Sequence, residues 1–122
     1  MNEVLFVGAG PGDPELITVK GRKAVGRADV IIYAGSLVPK EVLTWAKPGA
    51  EKIDSAPLNL EEIIEHIRYA QEKDKSVVRL HTGDPSLYGA IYEQMAELSK
   101  LSIPFSVIPG ITAAFAAAAS MG

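Results

Sequence analysis

The chain has 122 residues, a net charge of −3, two histidines and no cysteine. This length predicts one domain that can bury a core, and the lack of cysteine excludes disulfides and thiolate metal ligands. Without a basic stripe or a long apolar segment, the composition argues against nucleic-acid and membrane partners. The amino-terminal residues lack a signal-peptide pattern, so we expect a cytoplasmic protein, and two histidines without cysteine predict no protein-bound metal.

Strand and helix patterns alternate along the first half of the chain. Residues 3–7 form a short apolar strand, and residues 8–14 (Gly-Ala-Gly-Pro-Gly-Asp-Pro) form a glycine-rich turn. A helix is predicted from residue 14 or 15 to about residue 27. The apolar run 30–33 predicts a buried parallel strand, and Pro39 opens a short helix that ends near Trp45.

The second half continues the alternation with three strands, each followed or preceded by a helix pattern. Asn59 and Glu62 have the spacing of a capping box at the start of one of these helices. The predicted strands are 51–54, which reads as an edge strand, 76–81 and 105–108. The predicted helices begin near residues 60, 86 and 112.

Five strand patterns alternating with helices predict one α/β domain, an open parallel sheet with helices on both faces. In such a sheet the carboxyl ends of the strands meet at one edge, where ligands bind. Glycine-containing turns follow the first, fourth and fifth strands, around Gly10, Gly83 and Gly110. Because glycine has no Cβ to block an approach, these turns indicate a ligand that contacts backbone.

The turn after the fourth strand, His81-Thr82-Gly83-Asp84-Pro85-Ser86, is the centre of this edge. Strand, tight turn and helix form the unit that places small-molecule sites in α/β sheets. An ordinary connection in which Asp84 or Ser86 caps the next helix would use the same residues. The two companion turns favour the ligand site.

The first turn is also similar to the start of a dinucleotide-binding fingerprint, Gly8-x-Gly10. That fingerprint requires a glycine at position 13 and an acidic residue after the second strand, where this chain has Asp13 and Tyr33. The residues therefore disfavour a nicotinamide or flavin site.

Two extended motifs resemble those of the tetrapyrrole methyltransferase family, whose members use S-adenosylmethionine. The first is Val-Gly-Ala-Gly-Pro-Gly-Asp-Pro-Glu-Leu-Ile-Thr at residues 7–18. The second spreads over residues 77–110, with Gly-Asp at 83–84, Tyr-Gly at 88–89 and Pro-Gly at 109–110. Residues 33–37 and 79–86 are similar to the branch of the family that methylates precorrin-4 in the cobalamin pathway.

The resemblance implies that residues 1–122 are the Rossmann-like amino-terminal domain of a two-domain enzyme, with strand order 3-2-4-1-5. It implies C-methylation of precorrin-4 or cobalt-precorrin-4 at C-11 by in-line transfer, with S-adenosylhomocysteine as the second product. Such a reaction needs positioning and desolvation, and no residue is assigned as catalytic. Because the second domain supplies part of the cofactor pocket, the isolated chain is expected to be inactive.

Carried over by position, the resemblance also implies two sets of contacts. The cofactor contacts fall on Pro11, Thr82, Gly83, Asp84, Leu87, Thr112 and Ala113. The tetrapyrrole contacts fall on Gly10, Asp13, Ser36, Leu37 and His81.

Arg79 and His81 alternate onto one face of the fourth strand. Arg79 could bind a substrate carboxylate, although we favour an internal ion pair. His81 is either a pH-active group near the site or a hydrogen-bonded histidine at a strand end.

Residues 112–121 predict a helix that is apolar all round except for Thr112 and Ser120, and such a helix belongs in an interior. We therefore expect a homodimer, and the resemblance implies that its partner is a small-molecule tetrapyrrole. Two other functions stay open. One is a methyltransferase of the same fold that acts on ribosomal RNA ribose or on a translation-factor residue. The other is an inactive binding or assembly domain.

Overall fold

The computed structural model describes residues 2–8, 17–35, 38, 40–81 and 89–108, without the side chains of residues 89 and 90. The strands are β1 (Val4–Gly8), β2 (Val30–Tyr33), β3 (Glu51–Asp54), β4 (Val77–His81) and β5 (Phe105–Ile108). The helices are α1 (Val19–Arg27), α2 (Lys40–Leu43), α3 (Leu60–Glu72) and α4 (Gly89–Lys100). Among these described helices, none combines the length and apolar character that crossing a bilayer requires.

The five strands form one parallel sheet in the order β3-β2-β4-β1-β5. β1 lies between β4 and β5, with Gly8 paired to His81 and Val7 paired to Ile108. β2 lies between β4 and the exposed strand β3. The strand order, the parallel direction and the edge position of β3 confirm the sequence predictions.

Both faces of the sheet are buried under helices. Ile31 and Ile32 are adjacent on β2 and point to opposite faces, yet both are fully buried. Ile32 packs in the core shared with α3 and α4, and Ile31 packs in the core shared with α1 and α2. Full burial of each side chain contributes about 1.5–3 kcal/mol. Because both faces of this sheet are buried, strands such as β2 are continuous runs of apolar residues.

Helix α3 begins as its sequence predicts. The Asn59 side chain accepts a hydrogen bond from the Glu62 N–H at 2.8 Å, and the Glu62 carboxylate accepts one from the Asn59 N–H at 3.1 Å. The buried side chains of the helix, Ile63, Ile64 and Ile67, lie on the face that meets the sheet. The predicted capping box is therefore confirmed.

The start of α1 differs from the sequence prediction. The predicted helix begins at residue 14 or 15, whereas the observed helix begins at Val19. Thr18 is extended, with φ −69° and ψ 154°, and its hydroxyl accepts a hydrogen bond from the Gly21 N–H at 3.0 Å. A helix cannot run through an extended residue, and the threonine cap satisfies one of the free N–H groups of the first turn.

Candidate functional site

Three neighbouring strands end side by side at the carboxyl edge of the sheet. β4 ends at His81, β1 at Gly8 and β5 at Ile108, and Gly8 is the register partner of His81. Adjacent strands lie about 4.8 Å apart. The chain therefore leaves this edge at neighbouring points, toward residues 9–16, 82–88 and 109–122. This confirms that the three glycine-containing turns start from the same edge.

Most predicted site residues lie outside the described residues, so their contacts stay predictions. They are Gly10, Pro11, Asp13, Ser36, Leu37, Thr82, Gly83, Asp84, Leu87, Thr112 and Ala113. His81 is the predicted site residue that the structure describes. It is the last residue of β4 and is buried, with 4% of its surface exposed.

The exit of β2 is held by the turn that follows β3. The Tyr33 carbonyl accepts hydrogen bonds from the Ser55 N–H at 2.8 Å and from the Ser55 hydroxyl at 2.9 Å. Gly35 has a φ of +59°, and a Cβ there would lie 3.0 Å from the nearest side-chain atom. Residues 36–37, the predicted tetrapyrrole contacts, follow directly. The chain thus enters that segment from a fixed point.

Arg79 is a buried charge two residues before the end of β4. It is 6% exposed. Its Nε donates to Gln94 Oε1 at 3.1 Å, and its Nη1 donates to the carbonyls of Ile32 at 3.3 Å and Leu80 at 3.2 Å. The guanidinium therefore links β2, β4 and α4, the helix that follows the central turn.

The three acceptors that Arg79 has among the described residues are uncharged oxygens. The ion pairs of the described residues lie elsewhere: Lys47–Asp29, Arg68–Glu65 and Lys100–Glu97. The expected internal ion pair of Arg79 is therefore not found within the described part of the chain. Burial lowers the pKa of Arg79 from 12.5 to about 10, because desolvation disfavours the charged form. That value is well above neutral pH, so the guanidinium remains charged beside the edge.

Gln94 is a residue that the sequence reasoning missed. It is 2% exposed and lies on the inward face of α4 between Ile91 and Leu98. The sequence did contain a signal for this position. Residue 94 follows Ile91 by three residues and precedes Leu98 by four, which places it on the same face of the helix. A polar residue at a core position predicts a buried partner, and Arg79, between the apolar residues Val78 and Leu80, was a candidate.

The described side chains offer no second candidate centre. Within the ranges that the structure describes, no three histidine, aspartate or glutamate side chains are grouped to hold a metal ion. Surface grooves of about 450 Å³ and about 570 Å³ run along the helices, the first lined mainly by α3 and α4 and the second by α1 and by Thr44 and Trp45, which follow α2. Neither groove is lined by Gly8 or His81, so both are separate from the carboxyl edge.

Known proteins match this chain over nearly its whole length. The family model "Tetrapyrrole (Corrin/Porphyrin) Methylases" matches residues 3–122. Cobalt-precorrin-4 C(11)-methyltransferase of Methanocaldococcus jannaschii is 60% identical over 119 residues, which are 98% of this chain and 46% of that protein. Precorrin-4 C(11)-methyltransferase of Pseudomonas aeruginosa is 50% identical over 119 residues, 98% of this chain and 47% of that protein.

Two solved structures show the same fold. A cobalt precorrin-4 methyltransferase, described as a cobalamin biosynthetic enzyme, superposes with a TM-score of 0.92 at 47% identity, over 97% of this chain and 49% of that one. Uroporphyrin-III C-methyltransferase of Thermus thermophilus, complexed with S-adenosylhomocysteine, has a TM-score of 0.79 at 38% identity, over 96% and 48% of the two chains. The chain thus spans about half the length of the proteins that it matches.

Proposed function

Because the chain belongs to the tetrapyrrole (corrin/porphyrin) methylase family, we propose that it is the amino-terminal domain of an S-adenosylmethionine-dependent methyltransferase of the cobalamin pathway. The proposed reaction is methylation of precorrin-4 or cobalt-precorrin-4 at C-11. The observation that carries this choice is the 60% identity with a cobalt-precorrin-4 C(11)-methyltransferase. Uroporphyrinogen-III C-methyltransferase of the same organism is 47% identical over 120 residues.

The geometry of the sheet edge supports an S-adenosylmethionine site. The ends of β1, β4 and β5 are neighbours, and a glycine-containing segment of the sequence follows each of them. Backbone groups can then surround a ligand closely at three points. A related solved structure is described as a complex with S-adenosylhomocysteine. When bound, the cofactor supplies a methyl group that its sulfonium charge has already activated.

The work of this chain is to hold and orient the reactants. We propose that Gly83 and Ala113 contact the cofactor through backbone atoms, with Pro11, Thr82, Asp84, Leu87 and Thr112 completing its contacts. The tetrapyrrole lies against Gly10, Asp13, Ser36, Leu37 and His81. His81 is buried, which supports the proposal that this end of β4 is shielded from water, as direct methyl transfer requires. No covalent intermediate with the protein is needed.

Calorimetric titration with S-adenosylhomocysteine tests this site, first with the 122-residue chain and then with a version extended by the second domain. Gly83→Val should abolish binding in the extended protein while the fold survives, because the added side chain occupies the cofactor's place. Gly26→Val, in α1 and away from the edge, is the matched control and should bind normally. Unchanged affinity in a folded Gly83→Val variant would contradict the placement.

The second candidate function is a binding or assembly domain without activity of its own. The observation that favours it is the coverage, since the chain spans about half of each relative. The same titration separates the two functions. Binding by the extended protein supports the methyltransferase, and no binding by either form supports the inactive domain.

A further inference from the structure

The charges of this chain are unevenly distributed. Residues 19–47 hold six of its twelve lysines and arginines but two of its fifteen aspartates and glutamates, although the whole chain has a net charge of −3. Every charged residue of α1 is basic, and all of them are exposed: Lys20, Arg22, Lys23 and Arg27. The outer surface of α1 is therefore a positive patch on an otherwise negative chain, and such a patch attracts anions.

A groove of about 570 Å³ runs along this patch, and we call it the α1 groove. Its described lining consists of Val19, Arg22, Lys23, Gly26, Thr44 and Trp45. The guanidinium carbon of Arg22 lies 4.6 Å from the centroid of the Trp45 ring. Stacking uses the face of a guanidinium, whereas its N–H donors lie in its plane. Arg22 is thus held in position by the ring and can still bind a carboxylate.

The α1 groove is separate from the carboxyl edge of the sheet but begins beside it. A Cβ at Gly21 would lie 3.1 Å from Val7 Cγ1, so the first turn of α1 packs against the carboxyl end of β1. Val19 and Arg22 belong to the same turn, and Val19 is 72% exposed. From there the groove follows α1 to Gly26, away from the edge. A molecule in the groove therefore lies next to the edge where β1, β4 and β5 end.

The groove on the opposite face of the sheet has the opposite charge. Its described lining includes Glu61, Glu65 and Glu97. The cation in that described lining, Arg68, is paired with Glu65. A ligand with several negative charges is repelled there and attracted by the α1 groove, so charge distinguishes the two grooves.

The substrate class of the proposed function matches the α1 groove in charge. Such tetrapyrroles carry acetate and propionate side chains around the ring, and these carboxyl groups are ionised at neutral pH. Grooves of this volume are typical of small-molecule sites. A polycarboxylate also needs a positive surface in order to approach a chain whose net charge is negative.

Resting on the proposed function, we propose that the α1 groove is an outer subsite that captures the tetrapyrrole through its carboxylates. Arg22 and Lys23 bind the carboxylates, and Val19 and Trp45 pack against the apolar ring. The role of the groove is binding. It raises the concentration of the anionic substrate beside the carboxyl edge and takes no part in the methyl transfer.

Fluorescence titration with uroporphyrin, a stable tetrapyrrole with acetate and propionate side chains, tests the proposal. Trp45 is the single tryptophan of the chain, so quenching of its emission reports binding. Arg22→Gln combined with Lys23→Gln should raise the dissociation constant by about 3- to 30-fold at low salt, the effect of losing two partly exposed ion pairs. Raising the salt concentration from about 0.05 M to about 0.5 M should weaken binding more in the wild type than in this variant.

Lys73→Gln combined with Lys75→Gln is the matched control. It removes the same charge from exposed positions after α3, on the other face of the sheet, and should change the dissociation constant by less than about twofold. All four substituted side chains are exposed, so both double variants should fold, and circular dichroism verifies this. A short oligouridylate is added as a competitor that carries negative charge without a tetrapyrrole ring.

The outcomes separate this proposal from the proposed function. An unchanged dissociation constant in the groove variant, an equal loss in the control variant, or full displacement of uroporphyrin by oligouridylate contradicts the subsite. None of these results affects the binding of S-adenosylhomocysteine by the extended protein. Absence of that binding contradicts the proposed function and, with it, the use of the groove for a substrate.

Discussion

At the scale of single residues, the edge of the sheet opposite the candidate site is held by Asp29. Its carboxylate accepts a hydrogen bond from Lys47 Nζ at 2.5 Å and from the Ser76 N–H at 2.8 Å. Asp29 precedes β2 and Ser76 precedes β4, so one side chain ties two neighbouring strands together. The bond from Lys47 and then that from Ser76 lower the pKa of Asp29 from 3.8 to about 2.

This lowered pKa predicts a specific pH dependence of stability. A carboxyl group whose pKa is lower in the folded state stabilises the fold above about pH 4, and its contribution is lost as the pH falls toward 2. Because the Asp29 side chain is 34% exposed, solvent screening reduces the effect. Asp29→Asn should therefore lower the free energy of unfolding by about 1 kcal/mol at pH 7 and by nothing measurable near pH 2.

Urea unfolding at pH 7, 4 and 2 measures that difference. Glu51→Gln, on the exposed edge strand, serves as the control and should change stability little at any of these values. A loss for Asp29→Asn that is as large at pH 2 as at pH 7 would show that the carboxylate charge is not the cause.

At the scale of elements, helix α1 contains two glycines whose surroundings differ. A Cβ at Gly21 would lie 3.1 Å from Val7 Cγ1 and 3.1 Å from Thr18 Oγ1, which is closer than ordinary packing. At Gly26 the nearest atom is the Trp45 carbonyl oxygen at 3.6 Å, an ordinary contact. Gly21 thus permits α1 to approach β1, and Gly26 has no such role in the structure.

The two glycines should therefore respond oppositely to alanine. Gly26→Ala should raise the free energy of unfolding by about 0.5–1 kcal/mol, because alanine is the better helix former. Gly21→Ala should lower it by about 1–3 kcal/mol, because the added methyl group must displace the sheet or the cap. Denaturant unfolding of the pair provides the measurement, and changes of the same sign would refute the distinction.

At the scale of the whole molecule, we expect the carboxyl-terminal helix predicted from the sequence to need a further partner that covers its apolar surface. Residues 112–121 lie outside the described residues, and their composition predicts a helix without a face suited to water. The chain also spans about half of its relatives' length, and we propose that this helix contacts the second domain in a longer protein. When the 122-residue chain is alone in solution, a second molecule of the same chain can bury such an apolar surface.

We therefore predict that the 122-residue chain forms a homodimer or a larger species in solution. Sedimentation equilibrium across the micromolar range measures the mass. Ala117→Glu, within the apolar helix, should shift the chain toward the monomer, because a buried unpaired charge disfavours the contact. A wild-type chain that is monomeric throughout, with little binding of a dye for apolar surface, would contradict the prediction.

Short-range patterns in the sequence determined much of this protein. The apolar run of β2 predicted a buried strand, and the spacing of Asn59 and Glu62 predicted the capped start of α3. Each of these two patterns is contained in a few consecutive residues, so it can be recognised without knowledge of the fold. The alternation of strands and helices likewise predicted one edge for all three turns, whereas the strand order came from family resemblance.

The tertiary structure alone decided the features that depend on distant parts of the chain. The partner of Arg79 is 15 residues away on α4, and packing of that helix on the sheet brings Gln94 Oε1 to 3.1 Å from the guanidinium. Gly21 and Gly26 are both glycines of the same helix, and the contact with distant Val7 of β1 is made by Gly21 alone of the two. A residue's local pattern specifies the element to which it belongs. Its contacts, and hence its charge environment, depend on which elements fold against each other.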